Sequence, residues 1–83
     1  MMNQLFKKRL KDADNALAEL TRRNVEVLSI NLDSAIPLLR VRPTKGLHKE
    51  CGAWRRSRNN NGQRIDVMRG SLGKCFVEWE VQP

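Results

Sequence analysis

Between Asn3 and Arg23 the large apolar side chains fall at Phe6, Leu10, Leu17 and Leu20, with Ala13 completing a four-three-four-three spacing. That spacing winds one stripe around an α-helix and leaves Lys7, Lys8, Lys11, Asp14 and Arg22 on other faces. The pattern predicts a helix over residues 3–23, with Arg22 and Arg23 complementing the dipole at its C-terminal end and Asn24 as a left-handed stop. Such a stripe either covers a sheet or pairs with a second helix to make a homodimer. Covering a sheet is the expectation, and Phe6, Leu10, Leu17 and Leu20 are the candidate helix interface of the alternative.

After Asn24 the period changes from helical to alternating. Residues 25–32 read as a strand with Leu28, Ile30 and Leu32 sharing one face, and Leu38 to Arg42 resumes with Leu39 and Val41 inward and Arg40 and Arg42 outward. Asp33-Ser34-Ala35-Ile36-Pro37 supplies the turn of a hairpin between them. Pro43 ends the second strand, Thr44 caps a short helical turn reaching about Cys51, and Gly52 releases the chain. Two further runs, 53–58 and 63–69, flank Asn59-Asn60-Asn61-Gly62, whose Asn-Gly pair accepts the positive φ of a type I′ turn. The last strand, Cys75 to Val81, places Cys75, Val77, Trp79 and Val81 on one face and Phe76, Glu78 and Glu80 on the other, after a flexible link at Gly70–Lys74.

The expected architecture is α+β: an N-terminal amphipathic helix packed on an antiparallel sheet of four to five short strands, in the order α-β-β-(α)-β-β-β. The chain reads as a single domain over residues 1–83, with the sheet in 25–81 and a basic hairpin at 53–69. Eighty-three residues leave little interior for an enclosed catalytic cavity.

Charge sharpens this picture. The chain carries a formal +7, and the window from Arg40 to Lys74 alone holds ten Lys/Arg against Glu50 and Asp66. Segregated positive charge attracts polyanions and acidic protein surfaces by salt-sensitive steering. Trp54, Arg56 and Arg58 share one strand face, where an indole stacks while guanidinium groups grip phosphates or carboxylates. Arg40, Arg42, Trp54, Arg56, Arg58 and Arg64 are therefore the candidate residues for binding nucleic acid or an acidic partner, with a solvated basic face as the bland alternative.

Candidate chemistry adds little. Cys51 and Cys75 are too few for a disulfide framework, and His48, Glu50 and Cys51 lack the paired spacing of a zinc module, so neither metal nor cofactor is expected. Glu78 and Glu80, two apart on a strand beside basic neighbours, read as cross-strand ion pairs rather than an acid–base couple. No catalytic residue is assigned. No run reaches the roughly 18–20 apolar residues of a membrane span, and a cytoplasmic protein is expected.

The run Arg42-Pro43, the turn from Leu47 to Cys51, Gly52-Ala53-Trp54 with its arginines, Met68-Arg69-Gly70 and the ending Cys75-Phe76-Val77-Glu78-Trp79 resembles small accessory proteins encoded by phages, prophages and phage satellites. The resemblance covers about residues 25–80. It implies a non-enzymatic modulator that binds a phage or host protein of a replication, transcription, packaging or defence machine, and it assigns no functional residue. Direct binding of DNA or RNA is the second reading. A metal-free ribonuclease akin to the small basic RelE-type toxins, which also join helices to a curved sheet, is the third.

Overall fold

A computed structural model describes residues 2–81, and within them the side chains of all but Met2, Arg58 and Asn60. Helix α1 spans Met2–Arg22, followed by strands β1 (Val27–Asn31) and β2 (Leu38–Val41), a single helical turn α2 (Leu47–Glu50), and strands β3 (Trp54–Asn60), β4 (Gln63–Leu72) and β5 (Cys75–Glu80). This is the expected α+β arrangement: one helix on a five-stranded sheet.

The local signals act as the chain chemistry requires. Asn24 adopts φ 60°, and Val25 N–H donates to Leu20 O at 2.9 Å, turning the chain back against the helix. Asn61 and Gly62 both take positive φ, and the pairing of Asn60 with Gln63 closes a two-residue hairpin on them. Some local features differ from expectation. Gly46, not Thr44, precedes α2 as its N-cap. β4 continues through Leu72, so the link to β5 is only Gly73 and Lys74. In β1 the register shifts between Val27 and Ser29. This bulge puts Val27 across from the buried Val41 and breaks the simple alternation of Leu28, Ile30 and Leu32.

Strand order is β1-β2-β5-β4-β3. The pair β2–β5 is parallel and the other three are antiparallel, so the sheet is mixed where an all-antiparallel one was expected. The physical reason is a crossover. After β2 the chain runs through α2 to the far edge, and β4 and β5 then return to fill the middle. Leu47 and Cys51 on this crossover join Leu20, Leu39, Val41, Val77 and Trp79 in one buried core. Both α1 and α2 therefore lie on the same face of the sheet. Arg23 fastens them together, its Nε 3.4 Å from Glu50 Oε2.

The crossover is held at one close approach. Ser71 N–H donates to Cys51 O at 2.9 Å, and a Cβ on Gly70 would stand 2.6 Å from both the Cβ and the carbonyl oxygen of Cys51. Only a residue without a side chain fits under α2.

Helix α1 uses only part of its stripe on the core. Ala13, Ala16 and Leu20 are buried and Leu17 packs against them, whereas Leu5, Phe6 and Leu10 remain exposed. Arg9 donates to Leu32 O at 3.2 Å, at the end of β1, so the helix residues before it run past the sheet.

Candidate interaction surfaces

With both helices on one side, the other face of the sheet is uncovered among the described residues, and strand register decides what it presents. Arg40 pairs with Glu78 across β2–β5, Glu78 with Arg69 across β5–β4, and Arg69 with Trp54 across β4–β3. One row thus crosses four strands as Arg40, Glu78, Arg69 and Trp54. Glu78 is its hub, 1 % exposed between two arginines, with Arg69 Nη2 at 3.4 Å from its Oε1. Burying a carboxylate is costly unless a cation accompanies it, and the Arg69 guanidinium meets that demand. Val67 is buried on this face, away from both helices, and lines a small hollow with Arg56, Arg69 and Glu78.

Above the row lies an apolar hollow of about 290 Å³, lined by Ala35, Ile36, Leu38, Phe76 and Arg69. The Arg69 guanidinium sits 5.4 Å from the Phe76 ring centroid. Its Nε is buried with no hydrogen-bond partner among the described residues. Trp54, at the β3 edge, is 45 % exposed, whereas Trp79 belongs to the core as its flanking valines imply.

The six residues singled out from sequence do not form one surface. Arg40, Trp54 and Arg56 lie on the uncovered face, Arg56 by its pairing with Val67. Arg42 stands at the sheet margin beyond β2, bound to Glu26 with Nε to Oε2 at 2.7 Å. Arg64 lies on the opposite face. Its strand neighbour across β3 is Asn59, its Nε is 3.3 Å from Asp66 Oδ1, and its Nη2 donates to Ser57 Oγ at 3.1 Å. The backbone of Arg58 pairs with Ile65, and its side chain lies outside the described residues. Arg69, Phe76, Leu38 and Ile36 were not singled out. Alternation already placed Phe76 and Glu78 outward, but only strand order brings β2, β5 and β4 side by side.

Neutralisation changes what this basic face can do. Arg40 Nη2 is 3.5 Å from Glu80 Oε1, so Arg40, Arg42, Arg64 and Arg69 each have a carboxylate at hand. The Ser57 hydroxyl, donating to Asp66 Oδ1 at 2.7 Å, holds that carboxyl below its ordinary range, and Arg64 adds to the effect. Arg56 has no ion pair among the described residues.

For the helix interface, Leu20 and Leu17 are committed to the core, while Phe6 and Leu10 stay accessible. Arg9 stacks over the Phe6 ring, 5.4 Å from its centroid.

The two cysteines are buried and free. Burial pushes both thiols up from 9.0, so they stay neutral and unreactive at neutral pH. Iodoacetamide at pH 8 is expected to leave both unmodified in the folded protein and to alkylate both in urea; rapid native labelling would contradict their burial. Because the folded thiols ionise later than unfolded ones, their contribution to stability is complete below about pH 9 and is lost as pH rises through the folded values. Among the described residues no group of three His, Cys, Asp or Glu is placed to hold a metal ion, and no helix is long and apolar enough to cross a membrane.

The Kil protein family matches residues 6–80. No curated protein and no solved structure matches the chain significantly. Since the match runs from the exposed end of α1 to the last residue of β5, the chain belongs to the Kil protein family of small phage-encoded accessory proteins.

Proposed function

We propose that this phage accessory protein is a non-enzymatic modulator that binds a protein component of a nucleic-acid-processing machine through the uncovered face of its sheet. The observation that carries this reading is the makeup of that face. Trp54 and Ile36 are exposed there and Phe76 and Leu38 half-buried, beside arginines that largely have carboxylates of their own. Aromatic, aliphatic and arginine side chains mixed on one surface are the composition of a protein interface. A surface for phosphates would leave its guanidinium groups uncommitted.

The test is recovery of the tagged chain from phage-infected cells, with nuclease treatment. The wild type is expected to retain one stoichiometric partner after nuclease, and Trp54→Ala/Arg56→Ala to lose it while keeping its fold by circular dichroism. An empty recovery, or a partner released by nuclease, would overturn this function.

One observation favours direct contact with DNA or RNA as a second reading: Arg56, free of ion pairs among the described residues, is two positions from the exposed Trp54. On this reading fluorescence anisotropy detects binding at low salt that weakens steeply as salt rises, and Arg56→Ala/Arg58→Ala removes it. No anisotropy change at low salt excludes it.

A further inference from the structure

The two edges of the sheet are built differently. β3 carries three arginines in seven residues, a charged edge of the kind that prevents strand-to-strand association. β1, Val-Leu-Ser-Ile-Asn, has no charge and no proline, and it exposes Leu28 (57 %) and Ile30 (42 %). Its one protective device is the bulge at Leu28, which leaves Ser29 to Asn31 regularly paired on the inner side and open on the outer.

Beside this edge lies the unburied flank of α1. Asp12, Asn15 and Glu19 line a groove with Leu72, Gly73 and Lys74, so that side of the helix faces the β4–β5 turn. Helical spacing puts Phe6 and Leu10 on the opposite side, toward β1, and Leu10 is 54 % exposed. Ile30, in register with Leu39, projects from the sheet on the helix side. Helix flank and edge strand together form an apolar margin.

We infer that this margin is where a second copy of the chain docks. Charge selects the occupant. The molecule is +7, and two copies repel wherever basic surface meets basic surface. Along this margin charge is sparse: β1 has none, Glu26 and Arg42 are paired at 2.7 Å, Lys7 and Asp14, seven apart, share the helix flank beyond Leu10, and the Arg9 guanidinium is tied down over the Phe6 ring and on Leu32 O. It is the least repulsive approach for an identical molecule and offers nothing specific to an acidic one. A two-fold axis near Leu10 runs the two helices antiparallel and sets Lys7 of one copy against Asp14 of its mate, as a self-complementary interface demands. The contact centres on Leu10 and Ile30 on the helix side of the sheet, away from Trp54 and Arg56 on the other face, so this inference does not depend on the function proposed above.

Sedimentation equilibrium of the purified chain, from micromolar to near-millimolar concentration, tests it. The expected mass rises from 9.6 kDa to twice that value and persists at high salt, because the contact is apolar. Leu10→Lys and Ile30→Lys are each expected to weaken the dimer at least about tenfold, and Trp54→Ala to leave it unchanged. Leu10 is exposed on a helix, so its variant decides the matter even if Ile30→Lys unfolds. A wild type that stays monomeric throughout overturns the inference. So does a dimer that Leu10→Lys leaves intact, and so does a monomeric wild type whose Leu10→Lys variant loses the phage or host partner.

Discussion

Replacing Gly70 with alanine is expected to destabilise the fold by about 3 kcal/mol, the upper range for forcing a methyl group into a packed interior. The added carbon would stand 2.6 Å from two atoms of Cys51. One of them is a carbonyl oxygen, so the backbone of the crossover has to move. That motion strains the 2.9 Å hydrogen bond from Ser71 N–H and lifts Leu47 and Cys51 from the core. For a chain of this size the loss corresponds to a fall in Tm on the order of 15 °C. Urea denaturation followed by tryptophan fluorescence measures it, Trp79 being a core residue. Trimming Cys51 to glycine in the same chain is expected to rescue little, because the carbonyl remains. A Gly70→Ala protein within a degree or two of wild type would mean that α2 does not press on β4.

The second large effect is at Glu78. Glu78→Gln keeps the shape of the side chain and removes its charge, leaving Arg69 beside a neutral neighbour in a site that is 2 % exposed on the acid side and 22 % on the arginine side. A loss of about 2 kcal/mol is expected, below the cost of breaking a fully buried pair because the arginine retains some water. Glu78→Leu/Arg69→Met, which removes both charges, is expected to recover most of that stability. The contrast between single and double variants is the decisive readout. A single variant indistinguishable from wild type would reduce the pair to an ordinary surface contact.

Features that depend on neighbouring residues were legible in the sequence. The stripe of Leu17 and Leu20, the left-handed Asn24 and the Asn61-Gly62 turn are set by local geometry, and each appears where its chemistry places it. The mixed sheet was not legible, because the parallel pairing of β2 with β5 rests on contacts such as Cys51 over Gly70, between residues far apart in the chain. The candidate surface divides along the same line. Alternation put Trp54 with Arg56, and it also put Arg64 with Asp66 away from Ile65 and Val67. Grouping Arg64 with Trp54 needed the register of the hairpin, which pairs Arg64 with Asn59 and sends it to the other side. The carboxylates that occupy Arg40, Arg42 and Arg69 come from other strands or segments, so a count of basic residues overstated the charge available to a partner.

The place of β5 in the sheet bears on how the chain acquires its structure. β1–β2 and β3–β4 are each antiparallel pairs that can form from nearby residues, yet they touch no common strand until β5 enters between β2 and β4. This topology predicts that β5 enters last, between the two hairpins. The folding rate should be governed by closing the long loop from β2 to β5 rather than by either turn. A chain cut before Cys75 would not be a slightly smaller version of this protein, but two unlinked ribbons and a helix with half its cover missing.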